Sequence, residues 1–185
     1  MNANPNFISC GETDVPQVDA AALLARYEAE RLKRHRAEGF AQYTEATGEF
    51  EKFFEFDPYT ALPPRAAVND EIDVVILGGG FAGLIVAGRL REAGIENIRV
   101  IDRGGDFGGT WYWNRYPGVQ CDVESYTYMP LLEEMGYMPK HRYAFGTEIF
   151  AYCQQLGRHF GLYEHALFGT RVNALRWDEK SLRWH

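Results

Sequence analysis

The sequence predicts an incomplete three-layer α/β domain with a parallel sheet, preceded by a largely helical extension. Three observations predict it: a β-branched run at Ile72–Leu77 that is apolar apart from Asp73, a glycine-rich turn and helix directly after it, and a second short run at Ile98–Ile101 that is apolar apart from Arg99. Strand, turn, helix and strand within about 32 residues form one βαβ unit. Because the first run is almost entirely apolar, we expect a strand that is buried on both faces of the sheet. We place the extension at residues 1–69 and the α/β domain at residues 70–185.

The extension is expected to begin with a helix. Asp19 is a suitable N-cap for the helix-forming stretch Ala20–Ala37, and Gly39 is a suitable stop. The segment Phe50–Tyr59 is too aromatic for an exposed linker. We expect it to pack on the following domain or on a partner subunit, so that an oligomer is possible.

The remaining elements of the α/β domain follow from the same signals. The helix after the glycine turn is predicted at Phe81–Ala93, and a further helix at Glu148–Phe160. The runs Val172–Trp177 and Leu182–Trp184 are predicted to form a hairpin around residues 178–181.

Composition narrows the classes of function. The chain has 185 residues, of which 46% are hydrophobic and 24% charged, as in globular proteins. Its 19 basic and 26 acidic residues give a net charge of −7, which disfavours binding to nucleic acid or to anionic membrane surfaces. The longest uncharged run, Val74–Gly88, is shorter than the roughly 20 residues of a membrane helix.

The cysteines and histidines predict neither disulfides nor a metal site. Cys10, Cys121 and Cys153 are odd in number and far apart, which fits reduced thiols in the cytoplasm. The five histidines have no metal-ligand spacing.

The run from Gly78 to Gly83 fits the pattern GxGxxG between a strand and a helix, which is the context of a dinucleotide-binding turn. Gly78 permits the tight turn, Gly80 lets a pyrophosphate approach the backbone, and Gly83 lets the helix lie close to the strand. The first helical residues, Phe81 and Ala82, provide free amides for the phosphates. The sequence therefore predicts a Rossmann-like nucleotide site.

Two further features favour FAD over NAD. Asp102 ends the second strand, where an acidic side chain accepts both hydroxyls of an adenosine ribose and repels the 2′-phosphate of NADP. A second glycine cluster, Gly104–Gly109, then precedes Thr110 and Trp111. A loop that returns to the cofactor suits FAD, whose ribityl chain and flavin extend beyond the first βαβ unit.

The segment Gly108–Ser125 carries a more specific pattern, Trp-Tyr-Trp-Asn-Arg-Tyr-Pro-Gly followed by Cys-Asp-Val-Glu-Ser. With these residues the chain resembles the flavin-dependent monooxygenases, and most closely the type I Baeyer–Villiger monooxygenases, over residues 70–185. The first 69 residues resemble the extension of a subset of that family. The resemblance implies that the chain is the amino-terminal third of a longer enzyme. The second glycine motif for NADP and the catalytic arginine would then lie beyond residue 185.

The resemblance also implies a reaction. FAD reduced by NADPH would take up O2 to form a flavin C4a-peroxide, which would convert a ketone to an ester or lactone. The 185-residue piece alone is expected to be inactive. Two alternatives stay open: another flavin monooxygenase that oxidises amines or sulfides or N-hydroxylates its substrate, and a truncated, non-catalytic FAD-binding module.

Residue roles are implied by the same resemblance. Gly109 and the stretch Thr110, Trp111, Tyr112 and Trp113 would line the ribityl chain and the flavin. Asp122 would lie beside the flavin and nicotinamide and orient a catalytic arginine. The other implied cofactor contacts are Gln120 and Cys121 for NADP, Tyr128 for FAD, and the backbone of Val172 for adenine. Gln120 stands where many relatives have arginine.

On the residues alone, other interpretations are open for this stretch. Trp111, Tyr112, Trp113 and Tyr116 fit the aromatic core of a domain equally well. Cys121 fits a buried packing thiol better than a nucleophile, because no histidine lies near it in the sequence.

Overall fold

The computed structural model describes residues 19–44, 47–51 and 56–185, and the chain divides into two compact units, residues 1–47 and 48–185. In the first unit, helix α1 spans Ala20–Arg34, and the Asp19 carboxylate accepts the amide of Ala22 at 3.0 Å. The predicted N-cap is confirmed. The helix ends earlier than the predicted Ala37, because His35 is extended and its amide closes a tighter turn onto Leu32.

A three-stranded parallel sheet forms the centre of the second unit. Strand β2 lies between β1 and β3, and helix α2 connects β1 to β2. The elements are β1 (Val74–Leu77), α2 (Phe81–Glu92), β2 (Ile98–Ile101) and β3 (Ala166–Leu167). Val74 is paired with Ile98 and Val100 with Ala166. The predicted βαβ unit is confirmed.

The connection from β2 to β3 is long and carries three helices. These are α3 (Thr110–Trp113), α4 (Ser125–Tyr128) and α5 (Gly146–His159), and a 3₁₀ turn at Leu162–His165 leads from α5 into β3. The predicted helix at Glu148–Phe160 is confirmed and begins two residues earlier.

One hydrophobic core joins α2, α5 and the sheet. Leu84 of α2, Ile98 of β2 and Leu156 of α5 are fully buried in it. Phe107, from the second glycine cluster, is also fully buried, and its ring meets those of Tyr163 and Phe168 edge-on at 5.0 and 4.9 Å. The core therefore anchors the second glycine cluster directly.

The third strand of the parallel sheet was not predicted from the sequence, and the predicted hairpin is shorter than expected. Residues 170–176 form no strand, and the hairpin is only β4 (Trp177–Asp178) with β5 (Arg183–Trp184). The strand that follows α5 is Ala166–Leu167, with the amide of Asp102 bonded to the carbonyl of Leu167 at 3.1 Å. Two residues are too few to show strand periodicity, so only their hydrogen bonds to β2 define this strand.

Strand β1 is buried on one face only, and the prediction of burial on both faces was wrong. Ile76 is buried, but Val75 and Leu77 are 48% and 49% exposed. Their face borders a cavity of about 1240 Å³ that Trp177 and Trp184 also line. The reason is that α2 and α5 share the core on the Ile76 side, whereas only strand and loop residues line this cavity.

No helix in the described part of the chain combines the length and the apolar character that crossing a bilayer requires.

Replacing Leu84 by alanine should lower the free energy of unfolding by about 2–5 kcal/mol, because a fully buried side chain leaves a cavity. Leu24→Ala in α1, where the leucine is 69% exposed, should change it by less than about 0.5 kcal/mol. Both are measured by urea unfolding of the purified protein, followed by tryptophan fluorescence. Equal effects would contradict the assigned core.

Candidate functional site

The first glycine turn connects β1 to the amino terminus of α2. Gly78 leaves the strand with φ of +104°, and Gly80 is the N-cap of α2. The cap makes no side-chain hydrogen bond, and the first turn of the helix contains no acidic residue. The partial positive charge of the helix terminus is therefore not neutralised by side chains of its own first turn, which suits an anionic ligand.

Gly83 is required by the close contact between α2 and the turn. A Cβ at this position would lie 1.9 Å from the carbonyl oxygen of Gly78 and 3.0 Å from its carbonyl carbon. Any larger residue would push the helix away from the turn. Phe81 is half-buried and Ala82 is exposed, and both belong to the first turn of the helix.

The second glycine cluster folds back onto the first. The amide of Gly108 donates to the carbonyl of Gly79 at 2.9 Å. Asp102 joins the two clusters through its side chain, because one carboxylate oxygen accepts the amide of Gly79 and the other accepts the amide of Gly104, each at 2.6 Å. Asp102 is half-buried at the end of β2. The structure thus brings the two glycine clusters together, as the sequence predicted.

The residues after Gly109 belong partly to the core and partly to the surface. Trp111 and Tyr112 are buried, Trp113 is half-buried and Thr110 is exposed. The packing alternative is therefore right for Trp111 and Tyr112, although burial of a side chain does not prevent it from lining a site.

Trp111 and Phe81 meet at Tyr128 of α4. The indole nitrogen of Trp111 donates to the Tyr128 hydroxyl at 3.0 Å, and the ring of Phe81 lies edge-on to that of Tyr128 at 5.5 Å. Burial raises the pKa of Tyr128 above its ordinary value, and the hydrogen bond from Trp111 offsets only part of that rise. Tyr128 therefore stays protonated at neutral pH.

The predicted residues 120–122 alternate in burial along the chain. Cys121 is buried, and its amide donates a hydrogen bond to the carbonyl oxygen of Ala144 at 2.9 Å. Gln120 and Asp122 are exposed. The carboxylate of Glu124 accepts a hydrogen bond from the guanidinium of Arg142, with 2.6 Å between Oε1 and Nε. Cys121 thus packs in the core while both polar neighbours reach solvent.

Val172 does not occupy the strand position that was predicted for it. It lies exposed in a loop, two residues after Thr170. The amides of Gly169 and Thr170 donate to the carbonyls of Gly104 and Asp102, each at 3.0 Å. The loop that leads to Val172 therefore runs alongside Asp102, because these bonds extend the pairing of β3 with β2.

The sequence predicted that the segment Phe50–Tyr59 packs on the following domain or on a partner subunit, but it did not single out Asp57 or Thr60, which cover the second glycine cluster from outside. Asp57 accepts the amide of Gly105 at 2.9 Å, and Thr60 lies 2.8 Å from the hydroxyl of Tyr112. The Asp-Pro pair at 57–58 is a turn signal that predicts the bend. It carries no information about a partner 48 residues away.

A second cavity lies beside these residues. It has a volume of about 1120 Å³, and its lining includes Arg65, Arg103, Trp113 and Arg171. Among residues 19–44, 47–51 and 56–185, no three His, Cys, Asp or Glu side chains are grouped to hold a metal ion.

Comparison with known proteins shows which proteins this chain is similar to. The model of NAD(P)-binding Rossmann-like domains matches residues 76–165. Baeyer-Villiger monooxygenase 4 of Dietzia sp. (strain D5) is 49% identical over 166 residues, which are 90% of this chain and 27% of that protein. Over 90% of its length, this chain is therefore similar to a Baeyer–Villiger monooxygenase.

Solved structures of similar proteins agree with the fold. Polycyclic ketone monooxygenase from the thermophilic fungus Thermothelomyces thermophila has a TM-score of 0.75 at 42% identity, over 89% of this chain and 28% of that one. A structure of OTEMO in complex with FAD and NADP has a TM-score of 0.58 at 32% identity, over 63% of this chain and 22% of that one. The chain thus spans 22–28% of the length of these relatives, in their amino-terminal part.

Cys121 and Cys153 should both resist alkylation by iodoacetamide at pH 9 in the folded protein. Both are buried, and burial, together with the nearby charge of Asp106, raises the pKa of Cys153 to about 12. The reactive thiolate of Cys153 is therefore scarce until the pH approaches that value. Mass-spectrometric peptide mapping should find both residues alkylated only after unfolding in urea. Alkylation of Cys121 in the folded protein would contradict its packing role.

Proposed function

We propose that this chain is the FAD-binding part of an NADPH-dependent monooxygenase that converts ketones to esters or lactones with O2. The observation that carries the proposal is the bridge at Asp102, which holds the second glycine cluster on the first turn. An NAD site needs only the first turn, whereas FAD also needs a loop beyond it. The similarity to these relatives supports the same cofactor.

The phosphate and ribose positions fit FAD. The uncompensated amino terminus of α2 suits a pyrophosphate, and Gly78 and Gly80 leave room for it to approach the backbone, while Gly83 lets the helix lie close to the turn. A carboxylate has about four lone-pair sites. Asp102 uses two of them for Gly79 and Gly104, so that two are left for ribose hydroxyls. Its negative charge disfavours the 2′-phosphate of NADP at this position.

The adenine position is proposed on the same side of the sheet as the second cavity. Arg103 follows Asp102 in the chain, and Arg171 precedes Val172, and both arginines line that cavity. We propose that the backbone of Val172 contacts adenine.

The flavin side of the site is proposed at Gly109, Thr110–Trp113 and Tyr128. Bound FAD would supply the redox chemistry, by accepting hydride from NADPH and reacting with O2. The aromatic residues would form the walls of the site and exclude water from it, and the phenol of Tyr128 stays neutral there. Exposed Gln120 and Asp122, with Cys121 between them, are the proposed neighbours of NADP, and Asp122 the group that orients a cationic catalytic residue.

We place the protein in the cytoplasm, with a small-molecule ketone and O2 as its substrates. The buried, unpaired thiols of Cys121 and Cys153 support a reducing compartment. Oligomers are possible. The division into an extension of residues 1–69 and a nucleotide-binding domain of residues 70–185 stays a prediction.

The proposal is tested on the full-length protein. The purified enzyme should carry FAD, consume NADPH when a ketone is added, and form the ester or lactone, identified by gas chromatography with mass spectrometry. Amine or sulfide oxidation without ester formation would favour the other flavin monooxygenases. Bound FAD without any oxygenation would indicate a non-catalytic module.

Asp102→Ala should weaken FAD binding by at least about ten- to a hundredfold, because even one hydrogen bond to a charged group contributes roughly 1.5–3 kcal/mol. The dissociation constant is measured by titrating the apoprotein with FAD and following flavin fluorescence.

Asp73→Ala is the matched control, since this aspartate is exposed just before β1, at the opposite end of the strand from the glycine turn. It should bind FAD as the wild type does. Unchanged binding by the Asp102 variant would rule out the assigned ribose site.

A further inference from the structure

A short segment in front of the α/β domain, Asp57–Thr60, lies across the second glycine cluster; we call it the strap. We propose that the strap positions the loop from Gly104 to Trp113 for FAD, with Asp57 as the main positioning residue. This inference rests on the proposed function, because the same loop is the proposed flavin side of the site. It gives the residues before the nucleotide-binding domain a role in cofactor binding.

The first support is the set of hydrogen bonds at Asp57. Its carboxylate accepts the amide of Gly105 at 2.9 Å, the amide of Tyr59 at 2.9 Å, and the hydroxyl of Tyr112. The Tyr112 hydroxyl also lies 2.8 Å from the hydroxyl oxygen of Thr60. A phenol has one proton to donate, so that Thr60 donates to Tyr112 when Tyr112 donates to Asp57. One carboxylate thus ties the strap to both ends of the loop from Gly104 to Trp113.

The second support is steric. A Cβ at Gly105 would lie 2.4 Å from the Cβ of Thr60 and 2.7 Å from its hydroxyl oxygen. The strap therefore rests directly on the backbone of the loop, and a glycine at 105 is what allows this contact.

The third support is the aromatic packing at the far end of the loop. The ring of Tyr59 lies edge-on to that of Tyr112 at 5.9 Å, and its hydroxyl donates to the carbonyl of Trp113 at 3.1 Å. The guanidinium of Arg115 lies 4.1 Å from the Tyr59 ring centre and 4.7 Å from that of Tyr112. Such cation–π contacts hold the two rings together.

The protonation states agree with this arrangement. Burial opposes ionisation of Asp57, but the hydrogen bonds from Tyr112 and from the amides of Tyr59, Gly105 and Thr60 outweigh it and lower its pKa. Burial and the neighbouring carboxylate raise the pKa of Tyr112. Near neutral pH, Asp57 is therefore the ionised acceptor and Tyr112 the protonated donor of this hydrogen bond.

The contact continues into the site. The loop that the strap holds begins next to Asp102 and contains Gly108, whose amide bonds to the first glycine turn, and Trp111, which bonds to Tyr128. A displacement of the loop would move each of these groups. The strap is the part of this arrangement that precedes the βαβ unit in the chain.

The test uses the full-length protein with Asp57→Asn, Tyr112→Phe and the double variant. Each single variant should weaken FAD binding at least tenfold and alter the visible circular dichroism of bound flavin. The double variant should bind FAD as tightly as the single variant with the lower affinity, because both changes break the same contact. Asp73→Asn is the control and should bind FAD normally. If Asp57→Asn does not fold, Thr60→Val removes the other hydroxyl contact of Tyr112 and should also weaken FAD binding.

The outcomes separate this inference from the proposed function. If the wild type binds FAD and the strap variants bind it equally well with an unchanged flavin spectrum, the inference is overturned while the proposed function stands. If the two single effects add, Asp57 and Tyr112 act separately, and the inference is again overturned. A wild-type enzyme that binds no FAD overturns the proposed function itself. A lower unfolding temperature of the apoprotein with normal FAD affinity would show a merely structural strap.

Discussion

The site depends on one carboxylate at the end of the central strand. Asp102 accepts one amide from each glycine cluster, and hydrogen bonds to an ionised acceptor are shorter and stronger than neutral ones. Because β2 is paired with a parallel strand on each side, its carboxyl end is fixed within the sheet. The relative position of the two clusters follows from that fixed point. Without it, Gly79 and Gly104 would lose their acceptor and the second loop its attachment to the first turn.

The second loop is held from two opposite sides. Phe107 is fully buried against Tyr163 and Phe168, so that the core holds the loop from within. Asp57 and Thr60 hold it from outside. A glycine-rich loop loses much conformational entropy on ordering. Attachment on both sides meets that cost before any ligand binds, which favours binding through preorganisation.

One apolar face of the sheet is exposed to solvent in this chain, which is much shorter than its relatives. Val75 and Leu77 are about half exposed, and the tryptophans of the hairpin border the same cavity. An apolar sheet face in water forgoes hydrophobic stabilisation. Since the chain spans 22–28% of the length of the relatives, we expect further residues of a protein of that length to cover this face.

By itself, the sequence determined the local elements: the βαβ unit, the glycine turn that requires Gly83, the position of Asp102 and the cap at Asp19. These depend on residues close together in the chain, where periodicity and turn chemistry record the geometry. Only the tertiary structure decided three features: the two-residue strand Ala166–Leu167, the exposed face of β1 and the contact of Asp57 with Gly105. Each depends on partners, or on the lack of covering residues, far away in the sequence, and no local pattern encodes which distant segments pack together.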